Sequence, residues 1–209
     1  MQKAIKKYLT EKGKKFLDYG CGDIPYKSLF ERHISEYIAC DIGGNRHADV
    51  EIGLDSSIPM SNESVDVVLS IQVLEHVQDV QNYLKEANRI LRPEGLMLLS
   101  THGWWTHHPY PVDLRRWTFE GLAYELEKNG FRVIESAWVI GMLAYSCQLR
   151  LQCFKGILEN RGKVAIFVLN IISTIYQILM FFADKITPQY IAQNNAAVYF
   201  VVASKADRT

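Results

Sequence analysis

The chain lacks any C-x-x-C pair: its four cysteines, Cys21, Cys40, Cys147 and Cys153, are scattered. Neither a zinc knuckle nor a redox pair is therefore expected. It also lacks an excess of charge, with Lys+Arg and Asp+Glu both at 23. A broad nucleic-acid surface shows as a basic excess, so no nucleic-acid partner is expected. Six lysines fall within residues 1–15, where they read as a solvated helix face. That segment has no apolar run of signal-peptide type, and a reduced, cytoplasmic setting is the expectation. No Gly-Lys-Ser/Thr ending follows a glycine loop, which excludes a P-loop. What is present is 209 residues, 48% of them apolar, enough for a single domain over 1–209 with a sizeable core.

The stretch Phe16-Leu17-Asp18-Tyr19-Gly20-Cys21-Gly22-Asp23 carries the most information. An apolar strand must turn sharply at Gly20 and Gly22. A missing Cβ there allows positive φ and lets a ligand approach the main chain. Asp41 comes 21 residues after Gly20 and closes a second apolar run, Tyr37-Ile38-Ala39-Cys40. An acidic side chain at that distance is the usual acceptor for ribose hydroxyls. A dinucleotide fingerprint needs a third Gly or Ala three residues after Gly22, and that position is Pro25.

Along the chain, strands and helices alternate. Strands are expected at 15–19, 36–41, 65–70, 96–100, 131–139 and 196–203. Helices are expected at 3–10, from Asp79 to Leu91 on i, i+3, i+4 apolar spacing, and from Thr118 to Lys128. Such alternation predicts an α/β fold with a doubly wound sheet and right-handed crossovers. Gly20, Asp41, Ser70 and Thr101 all follow strand ends, which suggests a ligand rim there.

Four ordered segments resemble the class I S-adenosylmethionine (SAM) methyltransferases, of the type 11-like kind. They are Leu17–Gly22, Ala39-Cys40-Asp41, Val65–Val68 with Gln72–Val77, and Leu91–Leu96. The resemblance implies a Rossmann-like, seven-stranded, mostly parallel sheet whose last strand is antiparallel, with SAM as cofactor. By position it places Asp18, Gly20 and Gly22 beside the methionine end of SAM and gives both ribose hydroxyls to Asp41. It sets adenine near Gly53 and Leu54, held mainly by backbone groups, and turns Ser70 and Gln72 towards the methionine part. Ile24-Pro25 departs from the family's common third glycine.

Methyl transfer from a sulfonium needs a placed acceptor and an excluded solvent. A base is needed only where the acceptor must lose a proton, as a hydroxyl does. The segment 102–117 packs three His, three Trp, one Asp and two Arg into 16 residues after the fifth strand. Three readings stay open for it: a metal site at His107-His108 and Asp113, a structural lid with Asp113 paired to Arg115 or Arg116, or acceptor binding and proton abstraction. The preferred catalytic residues are His108, Asp113 and Arg116, and no metal is assigned. The expected acceptor is a small molecule, a glycan or a lipid-linked group, methylated at a hydroxyl. Two alternatives are a SAM-binding module without turnover and a peripheral membrane protein working through 140–185.

Val164 to Ala183 runs for twenty residues without a charge, about 30 Å as a helix. With the largely apolar 140–158 it reads as a helical insertion, 140–190, before the last strand. Spanning is not expected, because the last strand must return to the same sheet. Three covers for its apolar face are the domain's own sheet or a partner helix, a homodimer partner, and a peripheral membrane or lipid contact.

Overall fold

The computed structural model describes residues 1–206. In chain order the elements are α1 (Gln2–Tyr8), β1 (Lys14–Tyr19), α2 (Lys27–Phe30), β2 (Ile34–Ile42), β3 (Val50–Ile52), β4 (Val65–Ile71), α3 (Val80–Ile90), β5 (Leu91–His102), α4 (Phe119–Lys128), β6 (Phe131–Val139), α5 (Met142–Leu158), α6 (Lys163–Ile186), α7 (Gln189–Asn194) and β7 (Val198–Lys205). They form a seven-stranded sheet in the order β3-β2-β1-β4-β5-β7-β6. β1 to β5 pair in parallel, and β7 runs antiparallel to both β5 and β6. The α/β, mostly parallel sheet expected from the sequence is the observed fold.

Period-two alternation divides the core. Phe16 and Leu17 are adjacent on β1, both fully buried, and face opposite sides of the sheet. Leu17, Tyr19, Val65 and Val68 pack under α3 and α4, which contribute Tyr83, Leu84, Leu122 and Leu126. Phe16, Val67, Leu69 and Leu98 pack under α1 and α2 through Ile5, Leu9 and Phe30. Both helices over the first face begin as expected: Asp79 caps α3 by accepting from Asn82 N at 2.9 Å, and Thr118 caps α4 by accepting from Gly121 N at 3.0 Å.

Three differences from the sequence reading have physical reasons. β3 escapes a periodicity test because it is three residues long and lies at the sheet edge. β5 starts at Leu91 rather than near 96; its pairing with β4 jumps from Val65↔Leu91 to Val67↔Leu96, so Arg92 to Gly95 face no ladder partner and Pro93 is tolerated. Asp66 lies inside β4, where the sequence reading gave it no role, and ties strand ends together, accepting from Lys15 N at 2.7 Å and Arg92 Nη1 at 2.6 Å.

The chain reverses its direction of strand addition between β1 and β4, which opens a crevice at their carboxyl ends. Its floor is a stacked pair, Tyr19 and Tyr83, with ring centroids 3.9 Å apart. The buried Tyr83 hydroxyl donates to Tyr19 O at 3.0 Å or Ser70 Oγ at 2.8 Å. Tyr83→Phe is expected to lower stability by about 1–3 kcal/mol, because it leaves these buried acceptors without their donor. Urea unfolding should show a lower midpoint at an unchanged slope.

Candidate functional site

After β1 the backbone takes left-handed φ at Gly20 (91°), Gly22 (51°) and Ile24 (55°). A Cβ on Gly20 would lie 2.5 Å from a Val73 methyl, so this turn touches the loop after β4 directly. Gly20 N and Cys21 N both donate to Cys40 O, at 2.7 and 3.0 Å, and fix the turn to β2. Ile24 stands where the family's third glycine would. Its left-handed backbone costs roughly 1–2 kcal/mol in a residue with a Cβ.

Gly20, Gly22, Asp41, Leu54 and Gln72 line one cavity of about 260 Å³. Five of the seven cofactor residues expected from sequence are thus brought together. Asp41 Oδ2 accepts from Gly22 N at 2.9 Å and from Asn45 Nδ2 at 2.6 Å. Leu54 is 69% exposed and offers a flat apolar contact. Asp49 and Asp55 are engaged elsewhere, with Ala39 N and with Ser57, so backbone and apolar groups line the adenine end expected there. Gln72 sits at φ 59° and donates through Nε2 to Ser100 Oγ at 2.9 Å.

Asp18, Ser70 and Thr101 do not line the cavity, which corrects the expected rim. Asp18 is 1% exposed and accepts from the Tyr37 hydroxyl on the α1–α2 side of the sheet. Burial pushes its carboxyl up to about 6, against the Tyr37 bond, and the nearby Asp41 charge adds to the rise. Ser70 and Thr101 are fully buried, bonded to Tyr83 and to Glu75 Oε2 (2.8 Å) respectively. Alternation along a strand turns these side chains into the body rather than out at the rim.

The loop 103–117 closes the other side of the cavity through Tyr110, Pro111 and Val112. Asp113 and Arg116 form a two-point ion pair, 2.5 and 2.6 Å, and Asp113 also accepts from His108 N at 2.9 Å. Arg116 bonds the carbonyls of Trp105 and Thr106 at 2.9 and 2.8 Å. Every one of these contacts is internal to the loop. Arg116 holds the Asp113 carboxyl well below the usual carboxylate range. The pair therefore ties residues 105–116 to one another, with its two charges facing each other.

Of the preferred trio only the His108 ring is left facing other groups. Its centroid lies 5.7 Å from both His76 and His102 and 5.5 Å from Tyr110. His76 reaches the cavity wall itself, and its Nδ1 contacts Val112 O. Behind it, His102 is stacked on Trp105 at 5.0 Å. His102 Nδ1 is 3.1 Å from Glu75 Oε1, but neither atom has an aligned hydrogen bond. Burial raises the Glu75 carboxyl and lowers His102 to about 4, so both favour their neutral forms. Glu75, His76 and His102 were not assigned roles from sequence; the adjacent Glu-His after β4 is the signal that could have marked them.

The sequence matches the methyltransferase domain family over residues 1–136. The chain belongs to this family. Among similar proteins, a probable SAM-dependent methyltransferase of Mycolicibacterium smegmatis is 34% identical over 97 residues, covering 44% of this chain and 38% of that protein. A ubiquinone biosynthesis O-methyltransferase of Azorhizobium caulinodans is 31% identical over 103 residues, covering 43% and 41%. The chain thus spans about two fifths of the length of these relatives. The crystal structure of a Burkholderia thailandensis 1,6-didemethyltoxoflavin-N1-methyltransferase, with S-adenosylhomocysteine bound, superposes with a TM-score of 0.60 at 15% identity, over 99% of this chain and 76% of that one. That likeness is one of fold.

SAM, the cofactor named for the Mycolicibacterium smegmatis relative, suits the chemistry of this cavity. Among the described residues no Lys or Arg lines the cavity, while Asp41 does, and its charge is close enough to Asp18 to raise that carboxyl. A pyrophosphate would meet carboxylates there, whereas a cation is welcome. A bound cation favours the ionised form of Asp18, so binding lowers its pKa from about 6 and releases a proton. SAM affinity should accordingly rise as pH increases from 5 to 7, by up to about tenfold, and S-adenosylhomocysteine, which lacks the sulfonium charge, should respond less. Calorimetry checks this: Asp18→Asn should flatten the SAM profile, and a flat wild-type profile would contradict the argument.

Proposed function

We propose that this methyltransferase methylates a hydroxyl on a small, largely planar acceptor seated between the cofactor cavity and the loop 103–117. The observation that carries the reading is that one cavity joins the glycine turn and Asp41 to His76 and Tyr110. Gly20, Gly22, Asp41 and Gln72 would hold SAM, with Leu54 against its adenine. Bound there, SAM supplies an activated methyl group. The protein's own tasks are then to orient the acceptor, keep water out and take up a proton.

Tyr110, Pro111 and Val112 give the acceptor an apolar wall, held by the Asp113–Arg116 pair. Because the Val112 carbonyl can only accept, its contact assigns the His76 proton to Nδ1. Nε2 is left with a free lone pair and can receive the proton of an acceptor hydroxyl. His108, beside it, keeps the imidazole in place by ring contact. Asp113 and Arg116 act here as positioning residues. A hydroxyl acceptor draws support from the ubiquinone O-methyltransferase relative, and glycan or lipid-linked hydroxyls fall within the same chemistry.

Two outcomes test the reading. Asp41→Ala should weaken SAM binding by about tenfold or more in calorimetry, since it removes a charged acceptor from the cavity. His76→Ala should leave SAM affinity near wild type while lowering turnover of a hydroxyl acceptor about a hundredfold. Label transfer from SAM to a panel of phenols, sugars and amines supplies that readout. Transfer to amines alone, or an undiminished rate in His76→Ala, would remove His76 from the role of base.

A further inference from the structure

α5 and α6 form a hairpin that leaves the sheet at Val139 and returns to it at Val198, two residues paired with each other across β6 and β7. Its base is fastened: Asp184 Oδ1 accepts from Gly141 N at 2.8 Å, and Ala197 N donates to Ile140 O at 2.9 Å. Beyond that base the two helices pack on one another, with Phe154 and Tyr176 rings 5.9 Å apart. Of the first cover expected from sequence, the sheet does not lie on α6, while a partner helix, α5, packs along one flank of it. An 18-residue window of this 24-residue helix has a mean hydropathy of 2.1 and no buried residue. A core helix would be mostly buried.

The exposed apolar residues of α6 are ordered. At 100° per residue, nine of the eleven exposed large apolar residues, Val164, Phe167, Val168, Ile171, Ile175, Ile178, Leu179, Phe182 and Ile186, fall within an arc of about 120°, while Ile166 and Phe181 lie outside it. Asn170, Thr174 and Gln177 run along one side of that arc and α5 lies along the other. The hairpin also carries an excess of positive charge. Residues 142–186 contain Arg150, Lys155, Arg161, Lys163 and Lys185 against Glu159 and Asp184, in a chain that is neutral overall. Among the described residues none of the five cations pairs with a carboxylate, and Asp184 is occupied by Gly141 N.

We infer that the α5–α6 hairpin seats this protein in the plane of an anionic lipid bilayer, with the α6 arc in the acyl region and the flanking cations at the headgroups. Lys163 and Lys185 stand at the two ends of the arc, where long stems let the ammonium groups reach the interface. A second copy is the weaker occupant. In a two-fold dimer the same patch meets itself, which would bring the unpaired cations of one hairpin against those of the other. Spanning fails on topology, because both ends of the hairpin stay on one sheet edge. A crossing by α6 would need α5 to cross back, and α5 is 17 residues long with Arg150 and Lys155 inside it.

The seat lies next to the candidate site. Tyr145 of α5 is buried and stacks on Trp105 at 5.4 Å, and Trp105 stacks on His102 at 5.0 Å. The loop that walls the acceptor space is therefore packed directly on the base of the hairpin.

Flotation of the full chain with vesicles tests the inference. Wild type should float with mixed phosphatidylcholine and phosphatidylglycerol vesicles, float less with phosphatidylcholine alone, and lose binding at high salt. The double variant Ile171→Glu/Ile178→Glu should reduce the floated fraction at least about tenfold. Calorimetric SAM binding of the variant should match wild type, because both positions are exposed and neither lines the cavity. Amide exchange of α6 in wild type should slow when mixed vesicles are added. Wild type that stays soluble with both vesicle types would overturn the proposal, as would equal flotation of the double variant. A vesicle-independent dimer abolished by the same two substitutions would assign the surface to a second copy instead.

Discussion

At Gly20 the chain leaves β1 with φ 91°, and any Cβ there would come within 2.5 Å of Val73. That closeness is possible because β1 and β4 are sheet neighbours while the chain between them has gone out to β2 and β3 and come back. The turn after β1 and the turn after β4 are thus forced together at one point, and the space they enclose is what a ligand meets. Asp41 at the end of β2 and Gln72 after β4 are brought to that space by the same topology. A side chain at position 20 would not merely fill the cavity. It would push apart the two loops whose contact defines it.

Much of this was legible in the sequence because it rests on short-range rules. Alternating apolar runs specify the strands, i, i+3, i+4 spacing specifies α3, and Asp79 and Thr118 mark helix starts through bonds to residues three positions on. The glycine turn and Asp41 were readable for the same reason. Which way a strand residue faces depends on its partners across the sheet. Asp18 and Ser70 look like rim residues by sequence position, yet Asp18 is bonded to Tyr37 and Ser70 to Tyr83, both turned inward. The charges of 102–117 were visible as composition, whereas their pairing was not: Asp113 and Arg116 cancel each other, and the groups left over are histidines, one of them on another loop.

Polar groups in this protein divide into two kinds. Those with strong, aligned partners hold shape: Asp113 with Arg116, Asp66 with Arg92, and Glu86 with Arg89 at 2.7 Å. Others are buried without full pairing or with a shifted carboxyl, and they are spread from His33 and Ser64 to Asn129 and Ser204 as well as behind the cavity wall. Asp18 is buried and raised, Glu75 and His102 stand close without an aligned bond, and His76 keeps a free nitrogen. Buried groups of that second kind cost stability, and proteins retain them mainly where chemistry uses them.

β7 adds one more consequence. It lies between β5 and β6, pairs with both, and follows the hairpin in chain order. During synthesis β6 has no neighbour in the sheet until β7 arrives, and β7 is reached only after the whole hairpin has been made. The exposed apolar helix therefore emerges from the ribosome while the sheet beside it is still open, with β5 and β6 both presenting unpaired edges. An early docking site for the hairpin would shield that apolar face during the wait, and the closing strand would then lock in behind it.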